Sequence, residues 1–506
     1  MTEGHTICLL NDSFPPVIDG VANAVYNYAS QIEAHHGHAV VVTPSVPGVE
    51  DNYPFPVLRY PSIDTRKLVG YVAGYPFSPE TARRLSGEHV ELMHVHCPIS
   101  SAILARSLRD VIDAPLVMTY HTKFDIDIAK AVHGKLLQEG AIRALVQNIS
   151  ACDEVWVVSR GAGENLRSLG YEGTYTVMEN GVDVPRGRVS EEAIADATAG
   201  YDLPADVPVF LFVGRLMWYK GLRIILDALS ALRERGVEFR MVFVGDGADG
   251  AAVRQTAQEH GLSDRCFFTG AIADRETIRA WYSRASLFLF PSTFDTNGLV
   301  VREAAAAGTA TVMVAGSCAA EGVSDGRNGF FIEENAESLT AKLSELCAAP
   351  ERMARVGEAA QQELYISWES AVARAYDRYG AVIENYRMKR YPEHKKPLDS
   401  FLRSQGELME TFASINAAGN EMRGEVIQSG QEMRAFLRET SQEVEERLRE
   451  TGERLRETGE RLREASQEMS EELQKTYEHR VERYQKELDE RQAARVSFWE
   501  KMDRYL

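Results

Sequence analysis

Short β-branched runs that alternate with segments of helical spacing restrict the fold of this chain more than any other feature. "HTICLLN", "HAVVVTPS", "ELMHVH", "APLVMTYH" and "EVWVVS" read as buried strands, each followed by a helical pattern. Such alternation predicts a parallel sheet with helices on both faces. The pattern lapses around residues 183–207, in "DVPRGRVSEEAIADATAGYDLPADVP" with its three prolines. It then restarts with "VFLFVGRL", "FRMVFVGDG", "RCFFTG", "SLFLFPS" and "TATVMVAG". Two α/β series joined by a linker predict two similarly built domains facing each other across a cleft. Ligands of open α/β sheets bind beyond the C-terminal ends of the strands, so the chemistry is expected there.

Length and charge narrow the class. A chain of 506 residues exceeds one core and accommodates two or three domains. Its net charge of −19 offers no broad basic field for a phosphate backbone, which argues against a nucleic-acid partner. Cys8, Cys97, Cys152, Cys266, Cys318 and Cys347 are scattered without a CxxC pair, as in a reduced, cytosolic protein. The opening "MTEGHTICLLND" lacks the basic region and long apolar run of a signal peptide. No window reaches ~18 uninterrupted apolar residues, so no span is expected. A cytoplasmic location is the resulting expectation, with peripheral contact at the inner face of the membrane left open.

From about Leu398 the strand signals vanish and Glu, Arg and Gln dominate. "ERLRETGERLRETGERLREAS" repeats every seven residues, with Leu448, Leu455, Leu462 and then Met469 in one register. This predicts a long helix with coiled-coil periodicity. Glu450–Arg454 and Glu457–Arg461 are i,i+4 pairs in the favourable order. The apolar stripe is thin, because Thr451, Thr458 and Ala465 fill the alternate position, and Gly452 and Gly459 each cost about 1 kcal/mol relative to alanine. A weakly self-associating tail is expected, with partner binding, membrane contact or a spacer role as alternatives. The preceding "RMKRYPEHKK" (387–396) is either a solvated helix end or a contact for anionic lipid.

Several clusters carry possible chemistry. "VFVGDGADG" holds a G-x-G-x-x-G turn, Gly245 first, which fits either a dinucleotide fingerprint or a tight turn bringing backbone near a ligand. "MHVHC" sets His94 and His96 on one face of a strand beside Cys97; without a third and fourth ligand nearby, packing or cleft lining competes with a zinc site. Asp125 and Asp127 in "FDIDI" form a D-x-D that suits either a divalent metal or a helix start. In "VGRLMWYKGL", Arg215 and Lys220 come after a strand end and Gly221 precedes a helix, which suits either a diphosphate site where charge and backbone amides converge or ordinary surface cations. "PSTFDTNGLVVREAAAAG" repeats that geometry: Asp295 on the loop, Gly298 at the helix start, Glu303 in its second turn. Without a side chain, Gly298 lets a phosphate approach the amides, while the two carboxylates suit either hydroxyls at the two ends of an elongated ligand or a purely structural role in loop and helix.

The combination "GRLMWYKG", "VGDG", "FTG" and "FDTNGLVVREAAAAG" resembles the retaining glycosyltransferases of family 4, which have two Rossmann-like domains in the GT-B arrangement. "PPVIDGVANAV", "VHCPIS", "TYHTKFD", "MENGVDV" and "SWESAVARAYDRYG" match further segments of that family in the same order, over about residues 5–385. The resemblance implies an acceptor-side domain over 1–185, a nucleotide-sugar domain over 186–365, a crossover helix and basic linker over 366–397, and a tail over 398–506. It makes Glu303 the ribose ligand and sets Asp295 at the transferred sugar. Arg215 and Lys220 neutralise the diphosphate, with Asn297, Gly298 and Leu299 offering backbone amides and Gly245 on the donor side. Gly20 approaches from the opposite domain, and His121 contacts the sugar near the reacting carbon. Asp295 departs from the family pattern, which has glutamate there, and reaches one methylene less.

The same resemblance implies transfer of a hexose, glucose preferred, from a nucleotide sugar (UDP favoured over GDP) to an acceptor hydroxyl on a lipid or glycan. Retention of anomeric configuration, by a front-face reaction, is a family expectation. No metal or organic cofactor is implied, because cations and helix amides stabilise the departing diphosphate. Domain closure is expected to gate the reaction. Nucleotide-sugar epimerisation on the same fold, and a catalytically weakened scaffold acting through its tail, are the competing readings.

Overall fold

The computed structural model describes residues 4–17, 19–65, 72–124, 128, 134–392 and 402–406. Asp125, Asp127, the heptad-like repeat and residues 393–396 of the basic segment lie outside the described residues. The chain divides into two compact units. One comprises residues up to Ala105 together with Ile112–Pro392. The other comprises Arg106–Val111 and the chain from Glu393 on; within it residues 402–406 are helical and Arg403 pairs with Asp110 at 3.1 Å.

The larger unit contains two parallel sheets. Seven strands build the first: β1 (Thr6–Leu10), β2 (His38–Pro44), β3 (Val57–Tyr60), β4 (Leu92–Val95), β5 (Leu116–Tyr120), β6 (Glu154–Val157) and β7 (Thr176–Val177), in the order β3-β2-β1-β4-β5-β6-β7. Six build the second: β8 (Val209–Val213), β9 (Arg240–Val244), β10 (Cys266–Gly270), β11 (Leu287–Phe290), β12 (Thr311–Val314) and β13 (Phe330–Ile332), in the order β10-β9-β8-β11-β12-β13. Central strands such as β1, β8 and β11 are buried on both faces, which is why they read as unbroken apolar runs. In each sheet the strand order reverses beside the first strand: β1 pairs with β2 and β4, and β8 with β9 and β11. Crevices for ligands open at such points.

Within these two sheets, three strands are additions to the ten that the pattern predicts: β3, β7 and β13, all at sheet edges. Each is short, and an edge strand needs less apolar sequence. The presumed linker also contains structure. Ser190 accepts a hydrogen bond from Ala193 N at 3.2 Å and caps a two-turn helix, Glu191–Ala197.

Helices position the site. Asp19 caps α1 (Gly20–His35), its carboxylate accepting from Val21 N and Ala22 N at 2.8 and 2.7 Å. The other helices used below are α2 (Arg160–Ser168), α3 (Leu222–Glu234), α4 (Gly250–Glu259), α5 (Arg275–Arg284), α6 (Leu299–Ala306) and α7 (Trp368–Arg387). In α7 the residues Trp368, Ala371, Val372, Ala375, Tyr379, Val382 and Ile383 form one buried stripe at helical spacing. That stripe packs against the first sheet, with Trp156 stacked on Tyr379 at 5.2 Å between centroids. Arg378 holds Glu154 through two bonds (3.0 and 2.6 Å), and Arg387 reaches Glu91 at 2.7 Å. The chain thus crosses to the second sheet and returns to the first.

Candidate active site

Beyond β8, Gly214 turns the chain at φ +150°, and Arg215 comes next on an exposed loop. The glycine-rich turn after β9 holds that loop. A Cβ on Gly245 would lie 2.0 Å from the Gly214 carbonyl oxygen, so only glycine permits this approach. Backbone bonds from Gly214 N to Val244 O and from Leu216 N to Asp246 O (3.0 Å each) complete the seam. The Asp249 carboxylate accepts from Trp218 N at 2.9 Å. The G-x-G-x-x-G run therefore packs backbone on backbone, which aims the Arg215 loop. Arg215 pairs with no carboxylate among the described residues, whereas Lys220 is only 9% exposed and is bound to Asp295. Asp295 also accepts from Ser292 Oγ at 2.6 Å. The residue that the sequence assigns to the diphosphate and the one that it assigns to the transferred sugar are thus in direct contact.

Two residues past Asp295, the side-chain nitrogen and oxygen of Asn297 are both buried and without a partner among the described residues. Gly298 then adopts the left-handed conformation, φ +58°, and a Cβ there would sit 2.7 Å from the Ala319 Cβ. Its glycine identity is therefore set by backbone conformation and by packing on Ala319, beyond the open approach to amides anticipated from sequence. Leu299 starts α6, which has no side-chain cap, so the first N–H groups of the helix are left available at the C-terminal edge of the sheet. They carry the positive end of the helix dipole.

One turn further along α6, Glu303 accepts a hydrogen bond from Tyr282 Oη at 3.0 Å. Burial pushes its carboxyl above the usual glutamate range; the Tyr282 bond and the Arg275 charge oppose that, and Asp183 reinforces it. A carboxylate fixed by one donor keeps its other oxygen for a hydroxyl of a ligand.

On the first-sheet side, His121 lies just past β5 and is 7% exposed. Its Nε2 lies 2.9 Å from His96 Nδ1. Burial pushes its pKa down to about 3, so the ring is neutral at physiological pH. His94, which shares a strand face with His96, is hydrogen-bonded at both nitrogens, to Tyr379 Oη (2.6 Å) and Thr119 Oγ1 (2.7 Å). Gly20 opens α1; it is exposed, and a Cβ added there would meet nothing within 4 Å. Open space at a helix start is the surface a ligand could approach.

The two strand edges touch. Thr296 Oγ1 donates to the His121 carbonyl at 2.7 Å, Ser159 Oγ donates to the Thr296 carbonyl at 2.5 Å, and Lys123 Nζ reaches Thr293 O at 3.3 Å. Glu321 accepts from Arg160 N and Gly161 N, 2.6 Å each, and so caps α2 from the opposite sheet. Asp183 accepts from Asn23 Nδ2 at 2.8 Å and from Arg275. Sequence reasoning missed Ser159, Asp183, Thr296 and Glu321. Ser159 carries a local signal as the helix N-cap of α2, but no local pattern announces the other three. Together these contacts set His121 beside the 293–297 loop, the loop that carries Asp295.

The residue pattern and geometry match known proteins. The family model for glycosyl transferases group 1 matches residues 196–363, and that for glycosyltransferase family 4 matches residues 18–186. D-inositol 3-phosphate glycosyltransferase 2 of Catenulispora acidiphila is 29% identical over 321 residues, 60% of this chain and 74% of its own length. Alpha-monoglucosyldiacylglycerol synthase of Streptococcus pneumoniae is 22% identical over 386 residues, covering 75% and 86%. Among solved structures, sucrose-phosphate synthase of Thermosynechococcus elongatus superposes with a TM-score of 0.60 at 22% identity, over 75% of this chain and 99% of that one. HepE of Anabaena, solved in complex with UDP, gives a TM-score of 0.60 at 19% identity, over 74% and 100%. The two matched regions contain every strand of both sheets except β1 and every candidate residue on them, and the chain belongs to the group 1, family 4 glycosyltransferases, enzymes of the GT-B fold.

Proposed function

We propose that this enzyme transfers a hexosyl group, glucose favoured, from a UDP-sugar to a hydroxyl of a membrane lipid or glycan, with retention of anomeric configuration. The observation that carries the reading is that Arg215 and Lys220 follow β8, that the uncapped helix α6 with Glu303 follows the neighbouring strand β11, and that Lys220 is bound to Asp295 on the loop between β11 and α6. Breaking a sugar–phosphate bond develops negative charge on the departing diphosphate. Arg215 and the amides of Gly298 and Leu299 meet that charge in a fixed arrangement. An ammonium has three N–H donors, so the bond from Lys220 to Asp295 leaves two for phosphate oxygens. Asp295, held by Lys220 and Ser292, keeps lone pairs for hydroxyls of the transferred sugar. Glu303 takes the ribose, and His121 and Gly20 face the sugar from the first sheet. Gly245 supports the donor side through the Gly214 backbone.

The relatives favour a lipid or phosphorylated polyol as acceptor, being named a monoglucosyldiacylglycerol synthase and inositol 3-phosphate glycosyltransferases. HepE structures carry UDP and glucose, and UDP-glucose, which favours the same donor class. No helix among the described residues is long and apolar enough to cross a membrane. Contact with a lipid acceptor is read as peripheral, from the cytoplasmic side, as the name of the monoglucosyldiacylglycerol synthase relative favours. The domain roles, acceptor side first and donor side second, belong to the same reading, and the tail serves self-association.

The test is incubation of the purified chain with radiolabelled UDP-glucose and vesicles containing diacylglycerol, with GDP-mannose in parallel. Labelled lipid formed from UDP-glucose supports the reading. Conversion of the donor to an epimer without acceptor indicates the epimerase alternative, and absence of both transfer and donor binding refutes the enzyme assignment.

A further inference from the structure

His121 is held from two directions. Its carbonyl accepts from Thr296 on the opposite sheet, and its ring nitrogen Nε2 meets His96 Nδ1 at 2.9 Å, the rings lying 5.2 Å apart at 24°. Two neutral imidazoles at that distance share one hydrogen bond, so one is the donor and the other the acceptor. The direction decides which nitrogen of His121 carries the proton. His96 lies in an aromatic pocket, 4.0 Å from the His94 ring and 5.3 Å from the Tyr28 ring. Its own Nε2 is buried with no partner among the described residues. If His121 donated, His96 would carry its proton on Nε2, as a buried N–H with no acceptor. Orphaned buried N–H groups are rarer than under-satisfied acceptors. The reverse direction leaves only a bare lone pair in the pocket.

We infer that His96 is a positioning residue that donates Nδ1–H to His121 Nε2 and thereby fixes His121 as an Nδ1–H donor toward the donor sugar. His121 Nδ1 has no partner among the described residues, which leaves it for a hydroxyl or phosphate oxygen. A neutral ring fixed in this way supplies a directional N–H without a charge to desolvate. The neighbouring His94 is tied to Tyr379 of α7 and to Thr119, so the returning helix supports the stack from behind. The inference rests on the proposed transfer reaction for the role of the N–H, and on geometry alone for the tautomer.

The tautomer is therefore measured first. Long-range 1H–15N spectra of protein labelled at histidine, with the His121 signals identified by their loss in His121→Asn, distinguish the protonated nitrogen without any turnover. The expected result is a pyrrole-type Nδ1 and a pyridine-type Nε2; the opposite assignment overturns the inference even where transfer is confirmed. Kinetics supply the second arm. His96→Leu removes the donor and should lower kcat about five- to tenfold, the loss of one neutral hydrogen bond, with the donor KM nearly unchanged. His96→Asn presents an N–H from about the same position and should recover at least half of the lost activity. Equal losses in both variants, tracking equal losses of thermal stability, would mean that His96 only fills space.

Discussion

Replacing Lys220 by methionine separates the structural from the chemical role of the Lys220–Asp295 contact. The lysine side chain is 11% exposed and the aspartate 22%, so the pair is largely shielded from solvent. Removing one partner of a fully buried pair costs roughly 3–5 kcal/mol, because the remaining charge is left uncompensated. Here Asp295 keeps its bond from Ser292 and some contact with water, which lowers the expected loss to about 1–3 kcal/mol. Lys220→Met with Asp295→Asn removes both charges and should recover at least half of that loss. Activity should behave differently: with the Lys220 charge missing beside the diphosphate, the double variant stays as inactive as the single one. Urea denaturation read by tryptophan fluorescence measures the stability cycle, and transfer of labelled UDP-glucose measures the activity. A single variant as stable as wild type, or a double variant that regains transfer, would refute the assignment of Lys220 to both tasks.

Other changes test the remaining parts of the wall. Gly298→Ala requires a left-handed φ of a residue with a Cβ, costing ~1–2 kcal/mol, and pushes that Cβ to 2.7 Å from Ala319; a loss of about 2–4 kcal/mol with weakened UDP binding by calorimetry is expected. Glu303 has a raised pKa in the folded protein, so its ionised form, the one proposed to accept hydrogen bonds from ribose hydroxyls, is lost on acidification earlier than for an exposed glutamate. UDP affinity should therefore fall as pH falls through that raised value, and Glu303→Gln should be weak and flat across the same range. The sign for stability is opposite: the fold binds this proton more tightly than the unfolded chain, so the group stabilises at low pH and that contribution fades as pH rises through the folded pKa. Glu321→Ala strips the α2 amides of their acceptor across the sheets, and small-angle scattering should show a larger radius of gyration with kcat reduced more than UDP affinity.

Much of the fold is legible in the sequence because parallel sheets bury their central strands on both faces. "VFLFV" and "SLFLF" have few alternatives. Edge strands escape notice for the same reason: β7 spans only Thr176–Val177, too short for any periodicity. The candidate site divides similarly. Arg215, Lys220, Asp295, Gly298 and Glu303 stand out because each lies past a strand end or opens a helix, where backbone dipoles and ligands meet. That Lys220 binds Asp295, 75 positions away, is a tertiary fact without a local signature. Thr296 reaching the His121 carbonyl, 175 positions away, is another. Glu321 is the clearest omission, since an acid in "GSCAAEG" reads as an ordinary surface residue until α2 of the other sheet is seen above it. His96 illustrates the opposite case: it is conspicuous as sequence, yet its partner, and hence its role, appears only when β4 and β5 lie side by side.

The claim at the centre is that the second-sheet wall receives a nucleoside diphosphate sugar in one orientation. The most direct measurement is a crystal structure of the full chain soaked with UDP-glucose. Ribose hydroxyls within hydrogen-bond distance of the Glu303 carboxylate, with the diphosphate on Arg215, Lys220 and the Leu299 amide, are the predicted result. UDP bound elsewhere, or bound with its ribose away from Glu303, would contradict it.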